Sequence, residues 1–121
     1  MKKDVLSRKD LEKVLELFFE KIKQDDTIHH FFFEVVKVDW NQHMVQMCDF
    51  WENVLFYSGN YQGNPIETHK RINEIRKTEN IHFQKWMELF FSSLDSLYKG
   101  SNVQKMKDHS EQIVRVMMTK I

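Results

Sequence analysis

A chain of 121 residues is one domain long and can bury most of its apolar surface without a disulfide or metal staple. Eighteen Lys and Arg balance eighteen Asp and Glu, so no basic field exists to draw nucleic acid or an anionic membrane. Three Gly and one Pro supply too few turns for a barrel or sandwich of short strands, which points to an all-α fold. The single Cys48 excludes an internal disulfide and suits a reducing compartment. The start MKKDVLSRKD has no apolar signal core, and no apolar run reaches membrane-spanning length. The expectation is one cytoplasmic domain over residues 1–121, with neither membrane nor nucleic acid as partner. Aromatics reach 13%, with ten Phe and three Trp; they fill an aromatic core or line a wide flat pocket.

Ser7 and Asp10 form a start resembling a capping box, and Leu11, Val14, Leu15, Phe18 and Ile22 then recur at helical spacing. That predicts a first helix from about Arg8 to Gln24, with Phe19 on the edge of its buried face. The aromatic run from His29 to Phe33 is too short to stand alone and reads as one or two turns laying Phe31 or Phe32 on the core. Asp39 is a suitable N-cap for the next helix, whose apolar face carries Trp40, His43, Met44, Met47, Phe50, Trp51, Val54 and Leu55. His43 therefore sits on the buried stripe, as a hydrogen-bonded core residue or as part of a site. Cys48 falls off the centre of that stripe with nothing basic before it, which suits an inert packed thiol.

Residues 58–64, SGNYQGN, form the clearest loop, and Pro65 is well placed as the first residue of a helix. Ile66, His69 and Ile72 or Asn73 share a face, so His69 points inward along with Ile66. The following KRINEIRKTEN (residues 70–80) is the most polar stretch of the chain, and its cations read as a solvated face. Thr78 or Asn80 can cap another helix with the stripe Phe83, Trp86, Met87, Phe90, Leu94 and Leu97, for which Gly100 is a plausible stop. A last helix starts at Ser101 or Asn102, with Val103, Met106, Ile113, Val116 and Met117 turned inward.

Chemistry concentrates between Asp39 and His69. Two histidines facing each other across an apolar gap are what a planar metal cofactor needs. Competing motifs are missing: no phosphate loop and no nucleophile elbow occur, and one Cys with no His-Glu-x-x-His excludes the usual zinc sites. A carboxylate-bridged di-iron site would need a second Glu-x-x-His beside the one at Glu79–His82. No Cys-x-x-Cys-His is present, so any haem would be held without thioether bonds.

These residues carry a resemblance. Phe32, Asp39-Trp40 with His43, the run FWENVLFYSGNYQGNP from Phe50 to Pro65, Thr68-His69, and His82-Phe83 with Trp86 and Leu89-Phe90 look like the truncated haemoglobins, specifically their third group. The likeness covers nearly the whole chain. It implies a shortened globin, helices packed two over two around haem b. His69 would be the proximal iron ligand, His43 would lie on the distal side, and Met47 one turn further along that wall. Trp86 would reach the bound ligand, Phe32 would pack on the porphyrin, Phe50 and Trp51 would close the back, and Phe83 and Phe19 would complete the lining. Two positions depart from the family: Phe19 stands where a tyrosine is usual, and Lys77 where relatives often have proline, which bears on propionate contacts from Lys70 or Arg71.

The function so implied is binding of diatomic gases, dioxygen, nitric oxide or carbon monoxide, at a haem iron. The alternative in the enzyme class is nitric oxide dioxygenation or peroxide reduction, the former dependent on an external reductase because the chain has no flavin or nicotinamide fold. A haem-free helical interaction domain is the third reading, which would leave the aromatic slot unexplained.

Overall fold

The computed structural model describes residues 2–28, 40–57 and 80–120. Among them lie four α-helices and no strand: α1 (Arg8–Lys23), α2 (Trp40–Phe56), α3 (Asn80–Leu97) and α4 (Ser101–Lys120). The expected aromatic turns at residues 29–33 and the expected Pro65 helix with His69 lie outside the described residues. So do Phe32, Lys70, Arg71 and Lys77.

Ser7, in extended conformation, caps α1 by accepting the Asp10 N–H at 3.4 Å. The predicted face is buried in full: Leu11, Val14, Leu15, Phe18 and Ile22, joined by Phe19 at 6% exposure. α1 lies against both α2 and α3, and α4 lies against the same two helices. The result is a two-over-two arrangement, with α1 and α2 in one layer and α3 and α4 in the other. Arg8 locks the first layer, donating to Asp49 Oδ1 at 2.7 Å, to Glu52 and to the Val45 carbonyl at 3.3 Å. Those carboxylates hold the guanidinium cationic.

Two expected stripes shift. On α2 the buried line runs through Cys48, Trp51 and Leu55, with Met44, Met47, Phe50 and Val54 half-buried beside it. Cys48 thus sits on the centre of the stripe, 1% exposed, and burial pushes its thiol up to about 11. It is an inert packed thiol, as expected. On α4 the buried line is Val103, Met106, Ser110 and Val114, whereas Val116 is 36% exposed. At 100° per residue, position 116 has rotated off the face that 103, 106, 110 and 114 share.

Gly100 is the other correction. α3 stops at Leu97, and Gly100 instead precedes α4, with φ +157°. The Asp4 carboxylate packs where its Cβ would be. That carboxylate accepts from the backbone N–H groups of Asn102 (2.8 Å) and Val103 (3.1 Å), as well as from Val5 (2.9 Å). A residue from the beginning of the chain therefore caps its last helix. Beside it, buried Asp10 accepts from the Leu6 N–H (3.0 Å), the Tyr98 hydroxyl (3.1 Å) and Lys3.

Candidate functional site

One turn of α1 organises the aromatic interior. Phe18 and Phe19 are sequence neighbours with ring centroids 6.0 Å apart. Phe19 lies against the His43 ring of α2 at 5.3 Å, tilted by 33°. Phe18 meets Trp86 of α3 edge-on at 5.6 Å and Phe90 at 5.2 Å. Adjacent residues 100° apart on a helix can address two neighbouring helices at once. The same turn of α1 thus contacts a histidine of one partner helix and a tryptophan of another.

Behind it, Phe90 stacks on Trp86 (5.3 Å, 29°) and on Trp51 (5.5 Å, 19°). Trp51 also meets Phe50 at 4.9 Å. Met47 is half-buried against this cluster. Phe83 is buried in a smaller group with Val114, Met87 and Ile113, which touches Trp86 from the α4 side. Of the predicted site residues, Phe19, His43, Met47, Phe50, Trp51, Phe83 and Trp86 are therefore gathered around one aromatic interior. His69 and Phe32, predicted for the iron and the porphyrin, lie outside the described residues.

The polar tips in this interior differ. Among the described residues none accepts a hydrogen bond from the Trp86 indole N–H, and the ring is only half-buried. His43 is half-buried too. Among the described residues no group of three or more His, Cys, Asp or Glu is placed to hold a metal ion.

Two residues at the interior's α4 edge were missed by sequence reasoning. His109 packs against Phe50 (5.6 Å) and Trp51 (6.0 Å), and burial lowers its pKa below the ordinary 6.5. Its neighbour Ser110 is fully buried, and its hydroxyl has no hydrogen-bond partner among the described residues. The signal was available, because 109 falls three residues after Met106 and four before Ile113. A surface cleft of about 560 Å³ at the α3–α4 corner is lined by Lys2, Asp95, Tyr98, Gln104 and Lys107 among others. It contains none of the predicted residues, and Lys107 is already paired with Asp95 at 2.7 Å.

No family model matches the chain. A group 3 truncated haemoglobin of Campylobacter jejuni is 26% identical over 101 residues, covering 81% of this chain and 77% of that protein. The crystal structure of the group III truncated haemoglobin from Campylobacter jejuni superposes with a TM-score of 0.83 at 23% identity, covering 99% of this chain and 94% of that one. A truncated haemoglobin from Tetrahymena pyriformis gives 0.68 at 22% identity, over 92% and 87%. No helix among the described residues is long and apolar enough to cross a membrane. The chain therefore has the fold of the truncated haemoglobins and is similar in sequence to a group 3 truncated haemoglobin of Campylobacter jejuni.

Proposed function

We propose that this chain is a single-domain haem protein that binds diatomic gases at an iron held by His69. The observation that carries the proposal is the α1 turn on which Phe18 and Phe19 bring Trp86 and His43 to one aromatic surface. Such a surface suits a flat apolar cofactor, and two rings with polar tips beside it suit a small polarised ligand. Haem b, when bound, supplies an iron with a coordination position open to a gas.

The protein's own residues supply the rest. His69 would anchor the iron through a neutral imidazole nitrogen, and Phe32 would pack on the porphyrin. The Trp86 N–H has no protein acceptor among the described residues, so it would be available to donate to a bound ligand. The His43 imidazole, its ring against Phe19, offers a second donor. Phe19, Met47 and Phe83 would exclude water from the ligand's side, while Phe50 and Trp51 would back it. With no flavin or nicotinamide site in its motifs, the chain would draw electrons for any turnover from a separate reductase.

The test is an absorption spectrum of purified protein, ferric and ferrous, with and without carbon monoxide, beside a His69→Ala variant. A stoichiometric Soret band that shifts with carbon monoxide, and loses its form in the variant, is the expected result. Failure to bind haem at stoichiometry after reconstitution would overturn the proposal in favour of an interaction domain.

A further inference from the structure

Trp86 is gripped on more than one side by rings that belong to neither the iron nor the ligand. Phe18 of α1 meets it edge-on at 5.6 Å, with an interplanar angle of 88°. Phe90, one turn further along α3, stacks on it at 5.3 Å. Phe90 is itself stacked by Trp51 of α2 at 5.5 Å. Phe90 thus lies in stacked contact with both indoles, at interplanar angles of 29° to Trp86 and 19° to Trp51. Phe18 also touches Phe90 at 5.2 Å, which closes the group. Trp51, Phe18 and Phe90 are at most 3% exposed, whereas Trp86 is half-buried. The clamping rings are anchored in the core and the clamped ring reaches its edge.

We propose that Phe90 and Phe18 are positioning residues that hold the Trp86 indole in one orientation, so that its unpaired N–H is presented to the bound gas. The inference rests on the reading of Trp86 as a ligand donor. The physical reason is directional: a hydrogen bond weakens steeply once the donor angle bends below about 120°, and Trp86 has no protein hydrogen bond among the described residues to fix its rotamer. Packing of rings in preferred edge-on and stacked geometry does so instead.

The test combines a double-mutant cycle with nuclear magnetic resonance of the indole N–H groups. Phe90→Leu and Phe18→Leu are each made alone and together with Trp86→Phe, in haem-loaded protein under carbon monoxide; the second variant asks the same question if the first folds poorly. The expected result is that both Leu variants shift the C–O stretch in the direction Trp86→Phe does. Ligand release should change about threefold to tenfold, and neither Leu change should add to it once Trp86 is Phe. The ¹⁵N-indole signal of Trp86, assigned by its loss in Trp86→Phe, should move out of its ring-current position and broaden. Where Trp86→Phe moves the C–O stretch, Leu variants that leave it unchanged, or shift it equally with Phe at position 86, overturn the proposal. Should Trp86→Phe itself leave the stretch unchanged, Trp86 is no ligand donor, and the indole signal then decides the clamp alone: movement in the Leu variants supports it and constancy overturns it.

Discussion

Phe19 puts a phenyl ring against His43, at a position where the resemblance to the truncated haemoglobins implies a phenol. A phenolic hydroxyl there would add a donor to bound dioxygen, worth on the order of 1 to 3 kcal/mol, or about tenfold to a hundredfold in affinity. Dioxygen should therefore leave the native protein faster than it leaves Phe19→Tyr in stopped-flow measurements; equal rates would mean that His43 and Trp86 already satisfy the ligand. Ser110 makes the opposite kind of prediction. Its hydroxyl is buried without a partner among the described residues, and an unsatisfied polar group carries a desolvation cost of about 1 to 3 kcal/mol. Ser110→Ala should raise the urea midpoint without changing the slope, and a lower midpoint would reveal a partner for the hydroxyl. Phe19 was legible as a departure because the surrounding motif is distinctive. Ser110 was not, because a serine on a polar-rich helix looks the same whether it faces water or core.

At the level of elements, α4 depends on a cap supplied from outside its own local sequence. Asp4 accepts two of the N-terminal N–H groups of α4, and Gly100 leaves room for the carboxylate. Asp4→Ala should cost about 0.5 to 2 kcal/mol, and Gly100→Ala should be destabilising because its methyl would meet that carboxylate. Burial would raise the pKa of Asp4, but the N–H groups of Asn102, Val103 and Val5 outweigh it and hold it below the ordinary 3.8. Asp10 is likewise held low against its burial by Leu6, Lys3 and Tyr98. A carboxylate depressed in the folded state stabilises above its unfolded value and loses that contribution as the pH falls through the folded one. Acid unfolding should therefore steepen below about pH 4, and Asp4→Asn with Asp10→Asn should flatten that limb in circular dichroism titrations. The α1 helix was readable end to end, because Ser7 and the 3.6-residue apolar spacing are local signals. The Asp4 cap was not, because its partners lie 98 and 99 positions away and no short-range pattern encodes them. Val116 was misplaced for a related reason: four apolar residues among the five at 113–117 leave the phase of α4 undecided until its neighbours are known.

For the molecule as a whole, aromatic side chains at the α1 turn and at Phe90 join the two layers. A cofactor that binds only the folded chain stabilises it in proportion to its occupancy, by about 2.7 kcal/mol at a hundredfold excess over Kd. Haem should accordingly raise the thermal midpoint of the native chain and do so far less for His69→Ala, as read by circular dichroism. An equal rise in both would place the anchor elsewhere. The fold class followed from composition and periodicity, yet the cofactor followed only from motif likeness, since apolar stripes with two inward histidines fit a packed core as readily as a pocket. The bond from Asp4 to the start of α4 also bears on synthesis. A nascent chain emerges N-terminus first, and Asp4 meets its partners only once Val103 has left the ribosome. Asp4 must wait for the start of α4: a transcript broken before Gly100 yields a product in which Lys3 and Leu6 still find Asp10, while the Asp4 carboxylate keeps only the Val5 N–H.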